Sequence, residues 1–541
     1  MAVIQISRIQ HRKGLQQDLP QLASAELGWA LDSRKLYIGN GTIAEGAPEI
    51  GVTEILTQYS DLLNISDAYT FRGSQSGYTS RTGPTTDQPI TRTLQQKLDD
   101  YVNVRDFGAT GDGNTNDTAA LQRAIDEVLF GNFALTTPRL RRVIHVPAGI
   151  YLITVSLKLP SYITLQGEGK GRTIIRQSSN LYPVFQLKDS ENKIDAAYGT
   201  GSATVAQDIS LQDLNIEHLS NQDLIRLDTT ERVEFVGVTF KGSQNNPSTH
   251  LLTSQNAVYA RPLSAAGYVR DVNFLDCDFY NCTQGVVLNA SNVKFIGCNF
   301  RQLSQALVVD STATAVSTKN IKVISSTFDQ IARVAINVVA ANSQVITSVM
   351  SSQNYFGDVG TVYTGPSANV AYPVISFTGS GNYSVGDFFE RSDADHVTQP
   401  RVNQASGTVS MNFDANTGIS LGMMTTSPAR LITLSAAQTA ANTGVLFNGQ
   451  TTSATVTYFL QREAAGAYRS GKIDIVRSGS DLQYIDEYVE YPNATNFIYP
   501  GPTGVTFAVV SESSTVARLV YTSTAGSTGN LTYSITNLRS R

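Results

Sequence analysis

Long apolar stretches are the first feature that this 541-residue sequence lacks. No run of residues approaches the roughly 20 apolar positions that a membrane-spanning helix requires. The first residues, MAVIQISRIQHRKG, also lack the apolar segment of a secretory signal peptide. We therefore expect a protein that is made in a cytoplasm and does not insert into a membrane.

Cysteine, histidine and charge are scarce as well. The three cysteines, Cys277, Cys282 and Cys298, lie in one short segment, and the five histidines are scattered along the chain. An odd number of cysteines without a secretion signal argues against disulfides, so we expect buried reduced thiols and predict neither a metal nor a cofactor. Only 16% of the residues are charged and the net charge is −5, which excludes an extensive basic surface for nucleic acid.

An internal repeat is the strongest positive signal. The segments VEFVGVTF (233–240), VNFLDCDF (272–279), VKFIGCNF (293–300) and IKVISSTF (321–328) align on their last residue, at steps of 39, 21 and 28 residues. Each copy consists of two short strands joined by a two-residue corner, and stacked coils of this size are typical of a parallel β-helix. The register places Cys282 inside the coil and Cys277 at a corner. The other side chains predicted to point inward are Val293, Phe295, Cys298 and Phe300, and those predicted to point outward are Lys294 and Asn299.

The stretch from residue 102 to residue 165 predicts a closed entrance to this repeat. Glycine, asparagine and aspartate between residues 108 and 117 form a turn, after which Asp117 or Thr118 caps an amphipathic helix. A solenoid needs such a lid because its first coil would otherwise expose apolar side chains and free strand edges. The apolar stripe of the lid helix contains Leu121, Ala124, Ile125, Val128 and Leu129.

Shifts in composition divide the chain into five segments. Residues 1–60 form a small β-rich unit, which starts with a strand from Val3 to Ile9. A linker with a short helix near its end follows over residues 61–101, rich in glycine, serine, threonine and proline. The three segments that complete the division are the capped β-helix (102–360), a connecting region (361–400) and a C-terminal β-rich domain (401–541).

Two motifs resemble a known family. ELGWALD…KLYIGNG, which predicts a β-hairpin with its tip at Ser33 and Arg34, resembles the N-terminal domain of phage receptor-binding fibres related to tropism-determinant proteins. VNVRDFGATGDGNTNDTAALQRAIDEV resembles the start of the pectate-lyase-like right-handed β-helix of bacteriophage tailspikes and tail fibres. The resemblance implies a mainly β fold that ends in a C-terminal, jelly-roll-like β-sandwich and assembles as a homotrimer.

The same resemblance implies a function in the virion. The N-terminal domain would join a phage tail or baseplate protein, and the rest of the chain would attach to a host-surface polysaccharide. Cleavage of that polysaccharide is a second activity that the family allows. The alternative is a structural fibre of the collar or baseplate with neither receptor nor enzymatic activity.

Catalytic residues are harder to find than the fold. Hydrolysis of a glycan needs two carboxylates, and elimination needs a base with a charge-neutralising group. Glu234 and Asp278 are the catalytic candidates, but they lie on different faces, and a solvated solenoid face is the favoured interpretation of both. The outward positions on the first face are Ser210, Glu234, Asn273, Lys294 and Lys322. Those on the second face are Asn215, Thr239, Asp278, Asn299 and Thr327.

Two other patterns resemble ligand-binding motifs without completing them. Asp112-x-Asn114-x-Asn116 lacks the glycine at the sixth position of a calcium loop. The glycines between residues 167 and 171 precede a strand rather than a helix, so a dinucleotide site is not predicted. Function is expected instead in loops between coils, such as the long one over residues 244–266.

Overall fold

The computed structural model divides into two compact units, Met1–Val102 and Asn103–Arg541. We describe each unit by itself. The residues that the structure describes are 11–47, 51–63, 69–70, 90–130, 142–188, 205–243, 255–262, 267–310, 318–339, 346–360, 372–379, 381–390, 402–404, 409–414, 418–421, 424–426, 429–448, 451–462, 467–478, 481–491, 503–512, 516–524 and 528–539.

A four-stranded sheet forms the N-terminal unit. Its strands, in spatial order, are Arg12–Gly14, Leu27–Ala30, Lys35–Gly39 and Val52–Ile55. The first pair is parallel and the other two pairs are antiparallel. The predicted hairpin is present, with Arg34 in the left-handed conformation at its tip (φ +54°). The predicted strand from Val3 to Ile9 lies outside the described residues.

Short elements complete this unit. Two 3₁₀ turns, Gln16–Asp18 and Ile43–Glu45, border the sheet. The linker contains an antiparallel pair, Tyr69–Thr70 with Thr91–Arg92, followed by the helix Leu94–Leu98. The hydroxyl of Thr93 accepts a hydrogen bond from the Gln96 amide, and the Gln96 side chain accepts one from the Thr93 amide, so a reciprocal cap fixes the start of the helix.

The lid of the second unit is the helix Thr118–Phe130. Its described apolar side chains Leu121, Ala124 and Ile125 are buried. The helix begins after Asp117, whose carbonyl accepts the first helical hydrogen bond from Leu121. The Asp117 carboxylate is buried and accepts hydrogen bonds from the amides of Thr110 and Gly111, so it fixes the preceding glycine-rich turn rather than the helix. The side chains of residues 127–130 lie outside the described part.

Parallel coils follow the lid, and most coils contribute three strands. The first-row strands are Arg142–His145, Ile163–Gln166, Ala206–Gln212, Thr230–Val236, Val269–Leu275, Ser291–Ile296, Lys319–Ile324 and Thr347–Ser352. The second-row strands are Asp112–Asn116, Gly149–Ile153, Thr173–Gln177, Asn215–His218, Thr239–Lys241, Asp278–Tyr280, Asn299–Leu303, Thr327–Ile331 and Tyr355–Phe356. The third-row strands are Leu157–Lys158, Phe185–Lys188, Ile225–Asp228, Asn256–Ala260, Gln284–Leu288, Gln305–Asp310, Ile336–Val339, Ile375–Phe377 and Val402–Gln404.

Stacking of each row confirms the predicted right-handed parallel β-helix. Before the coils, Val102–Asn103 forms a short strand and Val104–Phe107 a 3₁₀ turn. A bend separates the first and second rows, and its first residue has a left-handed backbone in successive coils. Asp213, Gly237, Asp276, Gly297 and Ser325 have φ between +49° and +65°. Aspartate and glycine tolerate this conformation better than most residues, which explains their use at the bend.

Phenylalanines form two inward stacks along the helix axis. Phe235, Phe274 and Phe295 stack from coil to coil at centroid distances of 4.9 and 4.6 Å. The second stack runs at 4.6 to 4.8 Å per step. Its members are Phe240, Phe279, Phe300, Phe328 and Phe356. These spacings match the distance between neighbouring strands, so the aromatic ladder adds packing energy and fixes the register of each coil.

The three cysteines are free and fully buried. Cys277 lies at the predicted corner, but its side chain points inward, at the same position as Cys298 in the next coil. The left-handed residue before each one, Asp276 or Gly297, turns the chain so that the second residue of the bend points inward. Burial raises the pKa of Cys282 well above its ordinary value, so this thiol stays protonated at neutral pH.

Parallel pairing continues beyond residue 360, where the sequence repeat fades. Tyr383–Phe389 pairs with Met350–Ser352 on one side and with Val409–Asp414 on the other. From residue 326 onward, polar side chains replace the cysteines inside the bend. Ser326, Asn354, Asp387 and Asn412 are buried, and each accepts a hydrogen bond from the equivalent backbone amide of the preceding coil, at 2.8 to 3.2 Å.

The C-terminal part contains two groups of antiparallel strands. Thr451–Arg462 lies between Ala467–Ser478 and Gly529–Arg539, and Asp481–Tyr491 extends this sheet. Gly418–Leu421, Met424–Thr426 and Arg430–Leu434 join it to the coils. A separate three-stranded sheet has the order Ala441–Asn448, Val516–Ser523, Val505–Ser511. Both sheets contribute to one apolar core, whose largest members are Phe447, Tyr458, Phe507, Tyr521 and Tyr533. The jelly-roll assignment, the trimer and the five-segment division stay predictions.

Candidate functional site

Both predicted outward ladders exist in the register that the sequence predicts. On the first row, Ser210, Glu234, Asn273, Lys294 and Lys322 pair in that order from coil to coil. On the second row, the order is Asn215, Thr239, Asp278, Asn299 and Thr327. The inward phenylalanines leave only one side of each strand for solvent, which is why sequence alternation alone predicts these ladders.

The two catalytic candidates remain apart in the structure. Glu234 lies on the first row, and within the described part of the chain its carboxylate takes no part in a hydrogen bond or ion pair. Asp278 starts a second-row strand of the next coil, on the other side of the bend. A site that uses Asp278 therefore requires different partners.

Asp278 belongs to a cluster with Asp276 and Lys170. The Lys170 Nζ atom lies 3.0 Å from Asp278 Oδ2 and 3.3 Å from Asp276 Oδ2. Asn299 donates a hydrogen bond to the other oxygen of Asp278 at 2.9 Å. Burial disfavours the ammonium group of Lys170, but the hydrogen bonds and charges of Asp278 and Asp276 outweigh this effect and raise the pKa of Lys170. Lys170 therefore stays cationic between two carboxylates.

The glycine-rich loop that ends at Gly171 positions Lys170. The Gly169 amide donates to the Asp213 carbonyl at 2.8 Å, and the Gly171 amide donates to the Asn215 side chain at 2.9 Å. A Cβ atom at Gly167 would lie 2.2 Å from the Asp213 carbonyl oxygen, so only glycine permits this close approach. These contacts pack the loop against the following coil. Lys170 can therefore reach the carboxylates of Asp276 and Asp278, which belong to a coil farther along the helix axis.

A charged ladder runs beside the Asp278 ladder on the same second-row face. Its members are Arg176, Glu217, Lys241, Tyr280, Arg301 and Asp329. The buried Glu217 carboxylate pairs with Arg176 at 2.8 Å and with Lys241 at 3.5 Å. The Arg301 guanidinium stacks 4.7 Å above the Tyr280 ring. Burial is the main reason why the pKa of Tyr280 is raised, so the phenol is a neutral hydrogen-bonding group on this face.

Aromatic side chains continue the Asp278 ladder toward the last coils. Tyr355 follows Thr327 in register, and Phe388 and Phe413 follow Tyr355. The exposed fractions of the three side chains are 37%, 40% and 48% in that order. Tyr355 and Phe388 are stacked, with centroids 5.9 Å apart and planes 11° from parallel. We call these three residues the aromatic step.

The arrangement can perform two kinds of chemistry. Aromatic faces can stack on the C–H faces of sugar rings, while neighbouring amides and hydroxyls bond the sugar hydroxyls. Asp276 and Asp278 contact one nitrogen atom and are therefore close enough for both carboxylates to flank one glycosidic bond, since catalytic carboxyl groups lie roughly 5–10 Å apart.

Sequence reasoning missed Lys170, the role of Asp276 and the aromatic step. Lys170 lies in the glycine-rich loop between residues 167 and 171, and the signal available in the sequence is that this loop is longer than the usual two-residue bend. The aromatic step lies where the repeat fades, so no aligned copy predicts its register. Of the predicted functional loop over residues 244–266, only 255–262 belong to the described residues. There, Asn256–Ala260 is a third-row strand.

Comparison with known proteins agrees with this architecture. Residues 101–298 match the family model described as rhamnogalacturonase A/epimerase, pectate lyase-like. Residues 9–43 match the major tropism determinant N-terminal domain. The two matches confirm the resemblance to phage tailspikes with a pectate-lyase-like β-helix that the sequence predicts.

Curated relatives match shorter regions. The putative phage-related protein YobO of Bacillus subtilis is 45% identical over 83 residues, which cover 15% of this chain and 9% of that protein. Mannuronan C5-epimerase AlgE1 of Azotobacter vinelandii is 29% identical over 192 residues, which cover 32% of this chain and 13% of the epimerase. The chain thus spans about a tenth of the length of these relatives.

Solved structures with a similar course of the chain include two phage proteins. The ORF18 protein of Geobacillus virus E2 aligns with a TM-score of 0.45 at 14% identity and covers 90% of both chains. The tailspike protein of Acinetobacter baumannii phage AM24 aligns with a TM-score of 0.38 at 12% identity and covers 94% of this chain and 91% of the tailspike.

Proposed function

We propose that this chain is a tailspike of a phage virion and that it attaches the virion to a polysaccharide on the host surface. The observation that supports this function most directly is the second-row face, where the aromatic step continues a ladder of amide and hydroxyl side chains. The tropism-determinant match at the N terminus supports a place in a phage tail.

The second-row face has the chemistry that a glycan requires. Exposed rings are costly in water unless a ligand covers them, and sugar C–H groups provide an apolar surface of matching size. Thr327 and Asn299 provide a hydroxyl and an amide one and two rungs before Tyr355. Because rungs are about 4.8 Å apart, an extended polymer can contact several of them along the helix axis.

Virion attachment is assigned to the N-terminal sheet because it has a second apolar face. Leu22, Ala30 and Tyr37 form its small core. On the opposite face, register places Trp29 beside Leu36, and of five apolar side chains four are partly buried and Ile55 is exposed. These five are Leu27, Trp29, Leu36, Ile38 and Ile55. A phage tail or baseplate protein is the partner that we propose for this face.

The homotrimer that the family implies has a suitable surface on the first row. A ladder of outward apolar side chains lies next to the bend, and its exposed members include Ile296, Val385 and Met411 at 40%, 36% and 48%. The complete first-row apolar ladder is Val236, Leu275, Ile296, Ile324, Val385 and Met411, interrupted once by Ser352. Three parallel copies could bury this ladder along a common axis. Light scattering should show a trimer that Ile296→Asp weakens.

Attachment can be tested with host cells and purified surface polysaccharide. We expect Phe388→Ala and Tyr355→Ala each to reduce binding about ten-fold, because each removes a stacking surface. Leu181→Ala removes a 70% exposed apolar side chain outside this face and is the matched control. Unchanged binding by both aromatic variants would reject the second-row face, and no binding by the wild type would reject the function itself.

Cleavage of the bound polysaccharide is the second candidate function, and the Lys170 cluster is the observation that favours it. Asp276 and Asp278 would serve as acid and base or nucleophile once the sugar displaces the ammonium group of Lys170. Chromatography of polysaccharide incubated with the protein should reveal shortened products. Asp276→Asn and Asp278→Asn should each abolish them, whereas Glu234→Gln should not. Intact polysaccharide after incubation with the wild type would rule out this candidate.

A further inference from the structure

The outer face of the C-terminal sheet has its own row of exposed aromatic side chains. Phe459, Tyr468 and Tyr491 lie on three consecutive strands, with exposed fractions of 44%, 36% and 66%. The Phe459 and Tyr468 rings are 6.1 Å apart and 22° from parallel, and the Tyr468 and Tyr491 rings are 6.5 Å apart. We call these residues the aromatic platform.

The sheet register explains why the three rings meet. Tyr468 pairs directly with Tyr491 on one side and with Gln461 on the other, so all three side chains point to the same face. Phe459 is two residues from Gln461 and therefore shares this face. Leu460 follows Phe459 in sequence and Arg469 follows Tyr468, and both are buried on the opposite face. The rings of Phe459 and Tyr468 must therefore point outward.

Neutral polar side chains surround the aromatic platform. Phe459 pairs with Ser470 in one neighbouring strand and with Thr532 in the other, and Gln461 pairs with Asn530. These four side chains are on the same face and partly or fully exposed, so each can donate and accept hydrogen bonds. Rings alternating with hydroxyl and amide groups match the two surfaces of a sugar, one apolar and one rich in hydroxyls.

The charged side chains nearest the rings on this face are paired within the protein. Lys472 forms ion pairs with Asp474 at 3.0 Å and with Glu487 at 3.1 Å. All three lie on the same face, farther along the strands from the rings. A charged ligand would therefore find neither a free cation nor a free acid among these three, which favours a neutral ligand.

We propose that the aromatic platform binds a neutral glycan and is a second contact site, separate from the aromatic step on the coils. This inference rests on the proposed attachment function and specifies the class of sugar that one part of the chain recognises. Two weak sites on one chain that contact the same polymer raise the overall affinity, because binding at the first site raises the effective concentration at the second.

Aliphatic side chains on the same face provide the contrast that the test needs. Val489 is 77% exposed and pairs with Ser470, and Leu431 is 66% exposed and pairs with Thr532. If the face packed against a second copy of the chain, these two side chains would contribute as much as the rings. If it binds sugar, the rings dominate, because stacking on a sugar requires a flat surface.

The experiment applies the full chain to an array of neutral glucan, mannan and galactan oligosaccharides and of acidic oligosaccharides. We expect binding to at least one neutral class, a loss of about ten-fold for Tyr468→Ala and Tyr491→Ala, and retention by Tyr468→Trp and Val489→Ala. Light scattering and thermal unfolding of each variant report assembly and folding.

Binding of acidic oligosaccharides alone, or equal binding by the wild type and both tyrosine variants, would overturn the proposal. So would a change of oligomeric state in Tyr468→Ala and Val489→Ala alike, which would identify a contact between copies. Phe388→Ala is measured in parallel on whole host polysaccharide. If the wild type binds that polymer and Phe388→Ala weakens it while the tyrosine variants do not, the attachment function stands and the aromatic platform fails.

Discussion

Asp387 offers the sharpest test of how the coils are held together, because its carboxyl group is fully buried without a cation. Its oxygens accept hydrogen bonds from the Ser384 hydroxyl at 2.6 Å, the Asn354 amide at 2.9 Å and the Asn354 side chain at 3.1 Å. No ion pair within the described residues includes Asp387. Burial raises the pKa of Asp387, and the hydrogen bonds from Ser384, Asn354 and Ser351 offset the effect only in part.

Asp387→Asn should therefore stabilise the protein at neutral pH. The new amide oxygen can accept from the Asn354 backbone, and its nitrogen can donate to Ser384, as the Asn354 side chain already does to Ser351 at 2.9 Å. The variant keeps the hydrogen bond from the Asn354 backbone, reverses the one with Ser384 and removes the desolvation of a charge, so we expect a gain of about 1–2 kcal/mol. Asp387→Leu removes the acceptor and should instead lose about 3 kcal/mol, since it leaves buried donors unsatisfied.

The sign of the pH dependence follows from the raised pKa of Asp387. In the pH range between its ordinary value and its raised value, the folded chain binds more protons than the unfolded chain. The contribution of Asp387 to stability is therefore full below the ordinary value and is lost as pH rises through the raised one. Guanidinium unfolding of the wild type and of Asp387→Asn, measured at the same protein concentration from pH 4 to pH 8, should show a gap that closes toward pH 4. A variant less stable than the wild type at pH 7, or a gap that does not change with pH, would refute the reasoning.

Three further predictions concern the coils and their lid. Phe279→Ala should lower the free energy of unfolding by about 3–5 kcal/mol, because it interrupts a buried ring stack, and an unchanged denaturation midpoint would contradict this role. Gly242→Val should reduce the yield of folded protein, since a Cβ atom there would lie 2.3 Å from the Asn281 carbonyl oxygen, and a normal melting temperature would count against that clash. Asp117→Ala should cost about 1–3 kcal/mol and speed amide hydrogen exchange at Gly111, whereas unchanged exchange would show that its carboxylate does not hold the turn.

Much of the coil architecture follows from local sequence. Alternation of apolar and polar residues, together with a phenylalanine at the same place in each copy, predicts both outward ladders, because a shift of one residue would expose the rings. The lid helix and the N-terminal hairpin also follow from local sequence. Capping or turn residues and an apolar pattern within about 20 residues specify each of them. The inward direction of the Cys277 side chain has a local cause too. The left-handed residue before it reverses the direction of the next side chain, and an alternating pattern does not include that reversal.

The candidate site is less visible in the sequence because contacts between distant residues create it. Lys170 meets Asp276 and Asp278 only after a glycine-rich loop of one coil leans over the next. Tyr355 and Phe388 become neighbours because their strands stay paired in register. The segment between the two strands no longer follows the sequence repeat. No periodic signal identifies such pairs.

The sequence by itself determined that this protein is a stack of short parallel strands with a lid helix, since period-two alternation and recurring aromatics act within each strand. It also indicated the resemblance to phage tailspikes, because the turn-helix-strand motif after residue 102 and the hairpin before it are contiguous. Only the tertiary structure decided which outward side chains join those two aligned ladders on a shared surface. Each coil stacks on the previous one at the distance between paired strands, so residues about 20 to 40 positions apart in sequence come into contact. Loops of different length between the strands change which residues meet. The aromatic step and the buried position of Asp387 depend on that stacking, whereas the aromatic platform depends on the antiparallel register of three long C-terminal strands.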